Sequence, residues 1–134
     1  MARGRRTVSR MEKSVSQGHT PLPGHANSIQ TIQLDGGEVE AQVKRIMLSI
    51  GEQDVGKAAV FKLGLFQFTP SFSDFAQDEA IVISGAVGNQ CWHNETITMR
   101  VPKDWYLGLL FENLDATDGS ILTWNLQLNY KVLN

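Results

Sequence analysis

A chain of 134 residues is long enough for one ordinary domain and short for two. A hydrophobic share of 42% against 19% charged excludes a wholly disordered polymer, and a single cysteine, Cys91, excludes an internal disulfide framework. Net charge is −2 but unevenly spread: residues 1–20 hold Arg3, Arg5, Arg6, Arg10 and Lys13 against Glu12 alone, a surplus of +4, which leaves −6 on the remainder. A cationic tail on an acidic body is the usual pattern of a segment that meets a polyanion.

From the first residue to about 28 the sequence is Arg, Ser, Gly, Pro, His and Thr with almost no apolar periodicity. It reads as a disordered basic arm and linker, and deleting residues 1–20 is expected to leave the fold intact. Pro21 and Pro23 disfavour helix there and suggest an extended lead-in. No apolar run follows the opening arginines, so a secretory signal is not expected, nor glycosylation at Asn94-Glu95-Thr96. The chain has no stretch of about 18 apolar residues that would cross a membrane as a helix.

From Ile29 the texture changes to short apolar or alternating runs punctuated by Gly, Asp, Asn and Pro, the signature of strands and turns. Ile29–Leu34 ends at Asp35-Gly36-Gly37, residues that tolerate positive φ in a tight turn. In Val39–Ile50 the apolar parity switches, with Val39, Ala41 and Val43 before Ile46, Leu48 and Ile50, which implies a bulge near Lys44-Arg45. Residues 38–48 have helical propensity, but flanking turn glycines favour a strand. In Ala58–Phe68 both alternating sets are apolar, as in a strand covered on both faces.

Pro70–Glu79 reads as a loop with Phe72 and Phe75 and room for one helical turn. Ala80–Ser84, Thr96–Val101, Trp105–Phe111 and Ser120–Leu133 complete the runs. The last alternates Leu122, Trp124, Leu126, Leu128, Tyr130 and Val132 with Thr123, Asn125, Gln127, Asn129 and Lys131, a long strand with one dry face. The turn at 115–119 is expected to fold it back beside Trp105–Phe111 as a hairpin. Many short strands without intervening helices indicate an all-β antiparallel sandwich, beginning at residue 29 and running to 134.

Catalytic constellations are weak. Gly51 to Lys57 has the G-x-x-x-x-G-K spacing of a phosphate-binding loop. Ala58, however, stands where a magnesium-binding hydroxyl is needed, and Glu52 and Asp54 would repel a triphosphate. Cys91 and His93 lie two residues apart without further partners at ligand spacing, and His19 and His25 fall in the lead-in. The carboxylates Asp74, Asp78, Glu79, Glu95, Asp104, Glu112, Asp115 and Asp118 sit mostly in turns. Trp92, Trp105 and Trp124 suit binding or core, and the parity of Trp124 assigns it to the core. Neither catalysis, cofactor nor metal is expected. Arg3, Arg5, Arg6, Arg10 and Lys13 are the candidate nucleic-acid contacts, binding phosphates by counterion release without reading bases.

The opening Met-Ala-Arg-Gly-Arg-Arg, the Pro/Gly lead-in and about eight β segments together resemble the coat protein of a small icosahedral virus built on a single eight-stranded jelly roll. The closing pair Trp105–Phe111 and Ser120–Leu133 is similar to the last two strands of such proteins. The resemblance implies a virion protein, assembled in the host cell, whose partners are copies of itself in a closed shell and the packaged nucleic acid, with no membrane. Sixty copies at about +4 each would supply on the order of 240 charges, well short of a genome of about a thousand phosphates. A non-catalytic β-sandwich that binds carbohydrate or another ligand is the alternative, and it expects an exposed aromatic platform.

Overall fold

A computed structural model describes residues 12–22, 24, 26–52, 59–87, 90–114 and 120–133. It contains eight strands: β1 (Glu12–Leu22), β2 (Asn27–Ile32), β3 (Glu40–Glu52), β4 (Ala59–Phe66), β5 (Ile81–Val87), β6 (Gln90–Val101), β7 (Tyr106–Asn113) and β8 (Ser120–Leu133). They form two four-stranded sheets, ordered β1-β8-β3-β6 and β2-β7-β4-β5. Every ladder is antiparallel: β1 with β8, β2 with β7, β3 with β6 and β4 with β5, joined by β3–β8 and β4–β7. The two halves of the chain thus lie against each other as one long ribbon, rolled up by the last two pairings. This is the eight-stranded jelly roll.

Alternation places the core between the sheets. Ala41, Val43, Ile46, Leu48, Leu126, Leu128 and Tyr130 from the first sheet meet Phe61, Leu63, Leu107, Leu109 and Phe111 from the second, all buried. The expected bulge is present: the register of β3 against both neighbours shifts between Val43 and Arg45. Asp35, Gly36 and Gly37 all take positive φ, in the turn that carries the chain from β2 to β3.

A smaller core forms on the outer face of the second sheet. Gly64 and Gly108 are register partners, and their missing side chains leave a shallow window in it. A Cβ on Gly108 would lie 2.9 Å from Pro70 Cγ and 3.0 Å from Phe75 Cζ. Residues 67–80 fold back over this window, burying Phe66, Phe75 and Leu110, with the half-buried Ile29, Ala80 and Ile81 packed against them. The 3-10 turn Phe72–Ala76 is the helical turn the loop was expected to hold.

Two expectations are corrected. The expected unstructured segment does not run through to residue 28, nor does the sandwich start at 29, since Glu12–Leu22 pairs with β8 along its whole length. The apolar alternation that reveals a strand is missing because β1 faces bulk: Ser14, Ser16, Gly18 and Thr20 stand opposite Leu128, Leu126, Trp124 and Leu122. A Cβ on Gly18 would sit 2.5 Å from the indole of Trp124. Thr20 is buried, and its Oγ1 accepts the Trp124 Nε1–H at 3.0 Å. Pro21 is tolerated because β1 is an edge strand. The second correction concerns β7 and β8, which are in different sheets and form no hairpin. A turn sequence fixes a reversal of direction, whereas the partner is fixed by which apolar face must be covered.

Candidate functional site

Arg3, Arg5, Arg6 and Arg10 lie outside the described residues. Lys13 is in β1, at the register position opposite Asn129. β1 therefore begins at the pole where β8 ends and β3 begins, since Glu12 stands opposite Tyr130 and Tyr130 opposite Val43. The hydroxyl of Tyr130 donates to Asp35 Oδ1 at 2.8 Å, fastening the β2–β3 connection to the same pole.

At this pole the outer face of the first sheet is cationic. The bulge in β3 puts Lys44 and Arg45, consecutive residues, both in solvent, where regular alternation would have turned one inward. Gln42 lies between Lys131 of β8 and Arg100 of β6, and Arg45 lies beside Asn129. Arg100 is engaged by Glu40 through its Nε–H. That hydrogen bond, with the guanidinium charge adding to it, holds the Glu40 carboxyl below the ordinary range and raises the Arg100 guanidinium. The carboxamide oxygens of Asn125 and Asn129 are buried on this sheet without a hydrogen-bond partner.

Beside the same pole, residues 67–80 and Trp105 enclose an open groove of about 340 Å³. Its walls are Leu65, Phe66, Phe68 and Trp105, with Gln67, Gln77, Asp74 and Glu79 supplying polar groups. Phe68 is 52% exposed, a large ring held in water. Asp74 is fixed by the Ser71 backbone N–H and hydroxyl, which donate to its Oδ2 at 2.7 and 3.0 Å.

The remaining motifs fall partly outside the described residues. Gly51 and Glu52 end β3, and 53–58 lie outside the described residues. His19 is in β1; Cys91, Trp92 and His93 are in β6. Among the described residues there is no cluster of three or more metal-ligating side chains and no helix long and apolar enough to cross a membrane. Trp124 is buried, as its parity required, with its ring centroid 6.0 Å from that of Phe111. The cationic face and the groove were missed, the first because its residues come from three strands, the second because Phe68 read as strand.

No protein-family model matches this chain, and no curated protein matches it. Solved structures do. The Yersinia pseudotuberculosis-derived mitogen is similar with a TM-score of 0.50 and 6% identity, over 90% of this chain and 86% of that one. The Drosophila NLP-core, whose structure is described in terms of pentamer formation and histone binding, has a TM-score of 0.40 and 11% identity, over 92% and 99%. A nora virus structure has a TM-score of 0.37 and 12% identity, over 99% of this chain and 66% of that one. At 6% identity the likeness to the mitogen concerns the fold alone.

Proposed function

We propose that this chain is a structural coat protein that assembles with copies of itself into a closed icosahedral shell, in a virion, and holds packaged nucleic acid through its basic leader. The observation that carries this reading is a complete jelly roll whose edge strand β1 runs straight out of a leader bearing Arg3, Arg5, Arg6 and Arg10. The leader contains no acidic residue before Glu12 and so binds phosphates with a strong salt dependence. The protein is a scaffold and not an enzyme. Light scattering and negative-stain microscopy of the purified full chain test this: large closed particles are expected, and a stable monomer over a broad range of concentration and salt overturns it.

The second reading, a sandwich that binds carbohydrate or another small ligand, draws on the groove, where Phe68 and Trp105 stand beside carboxylates and carboxamides. It expects a Trp105 fluorescence change on adding oligosaccharides to a non-assembling protein.

A further inference from the structure

We infer that the outer face of the β1-β8-β3-β6 sheet is a second nucleic-acid contact, continuous with the leader, that takes the sugar-phosphate backbone of a single strand. The inference deepens the proposed function and rests on its polyanion, though not on the shell. Lys44, Arg45 and Lys131 project three positive charges from this face, and Arg100 contributes a fourth that Glu40 balances. Among the described side chains of the face, Glu40 is the one carboxylate. The acids nearest by connection, Asp35, Glu38 and Asp104, belong to the turns at the pole, and Asp35 is engaged by Tyr130. Residues 21–134 carry −6 overall, so a surplus of +3 on one face is segregation of charge and not a reflection of composition.

The register gives the arrangement. Lys131, Gln42 and Arg100 form one row across β8, β3 and β6. Lys13, Asn129, Arg45 and Thr96 form the next, across all four strands. With strands about 4.8 Å apart, the second row is about 14 Å long; the two rows are about 7 Å apart on β8 and diverge across the bulge to about 13 Å on β6, with Lys44 of β3 falling between them. That spacing matches successive phosphates of an extended strand to within the reach of Lys and Arg side chains. Away from the pole the described side chains of the face, Gln127, Ser49 and Thr123, are neutral. A strand held by the leader at Glu12 therefore meets the cationic rows first. The face also offsets part of the charge deficit that the leader leaves in a closed shell.

The occupant is a nucleic-acid backbone because the exposed cations Lys44 and Arg45 are spread with Lys131 and Arg100 along rows of the sheet and do not converge on one point, as the binding of a compact anion requires. Charge complementarity of this kind is non-specific and salt-dependent. The test uses the full chain and fluorescein-labelled dT20 and rU20, with affinity read by anisotropy across a salt series. Each lost contact to a single strand removes about 0.7 from the slope of log K against log salt. Lys44→Gln/Arg45→Gln/Lys131→Gln is expected to lower the slope by about two and to weaken binding about a hundredfold at 0.1 M salt. All three positions lie on the solvent face, and an unchanged urea midpoint verifies folding. Lys44→Arg/Lys131→Arg is expected to keep the parent slope.

An unchanged slope in the triple variant overturns the inference, as does a loss confined to dT20 or to rU20, which would mean sugar-specific contacts. A change in particle size without a change in oligonucleotide affinity also overturns it, because the face would then be a contact between copies. Replacing Arg3, Arg5, Arg6 and Arg10 by Gln separates the two ideas: an unaltered affinity there sinks the leader's role while the face stands. Absence of binding at 0.05 M salt by the parent sinks both.

Discussion

Trp124 and Gly18 show how one large residue dictates the small ones around it. The indole fills the space that a side chain at 18 would occupy and donates its one N–H to Thr20. Trp124→Ala is expected to cost about 3–5 kcal/mol in urea unfolding through the cavity it leaves. Gly18→Ala, which adds a single methyl in the opposite strand, is expected to cost about 1–3 kcal/mol by overpacking. A Gly18→Ala protein as stable as the parent would mean that β1 does not lie over the indole. The Glu40–Arg100 pair makes a prediction of the opposite kind. The folded carboxyl has its pKa depressed below 4.5. Its contribution is therefore present above about pH 4.5 and lost as pH falls through the depressed value. The stability difference between parent and Arg100→Gln is expected to be small at neutral pH, because the pair is exposed, and to vanish in acid. A difference that grows below pH 4 contradicts this assignment.

At the level of elements, the strands legible in the sequence are those that bury bulk on one face. β8 alternates cleanly because Trp124, Leu126, Leu128 and Tyr130 all reach the core, and β3 betrayed its bulge by a switch of apolar parity. β1 stayed hidden because it supplies the small half of a large–small contact, so its inward positions look like linker. The first half of β6, Gln90 to Glu95, was missed for lack of an apolar pattern. The cationic arm was legible as composition, whereas the face it continues into was not, since strand register alone brings Lys131, Arg100 and Arg45 together. Truncation distinguishes leader from strand. Removing residues 1–11 is expected to leave the urea midpoint near that of the parent while weakening oligonucleotide binding. Removing residues 1–22 takes away an edge strand and exposes Trp124 and β8, and is expected to yield an aggregating or unfolded protein. A well-folded product of the longer deletion would restore the arm to its larger, sequence-based extent.

For the whole molecule, jelly-roll topology is compatible with several uses, and what distinguishes this chain is where its charge sits. The start of β1 and the cationic rows share one pole, while the outer face of the other sheet is covered by residues 67–80. The proposed shell would take the cationic side as its inside. Particles formed by the leader-neutralised protein are accordingly expected to carry less nucleic acid than parent particles, read as a lower ratio of absorbance at about 260 to about 280 nm; an equal ratio removes the leader from packaging.

Because Glu12 stands across from Tyr130, the first and last described strands leave the sandwich through the same doorway. An affinity handle or fluorescent protein appended at either terminus would crowd the region assigned to the polyanion. The junction after Glu52, at the far end of β3, is the better place to attach one.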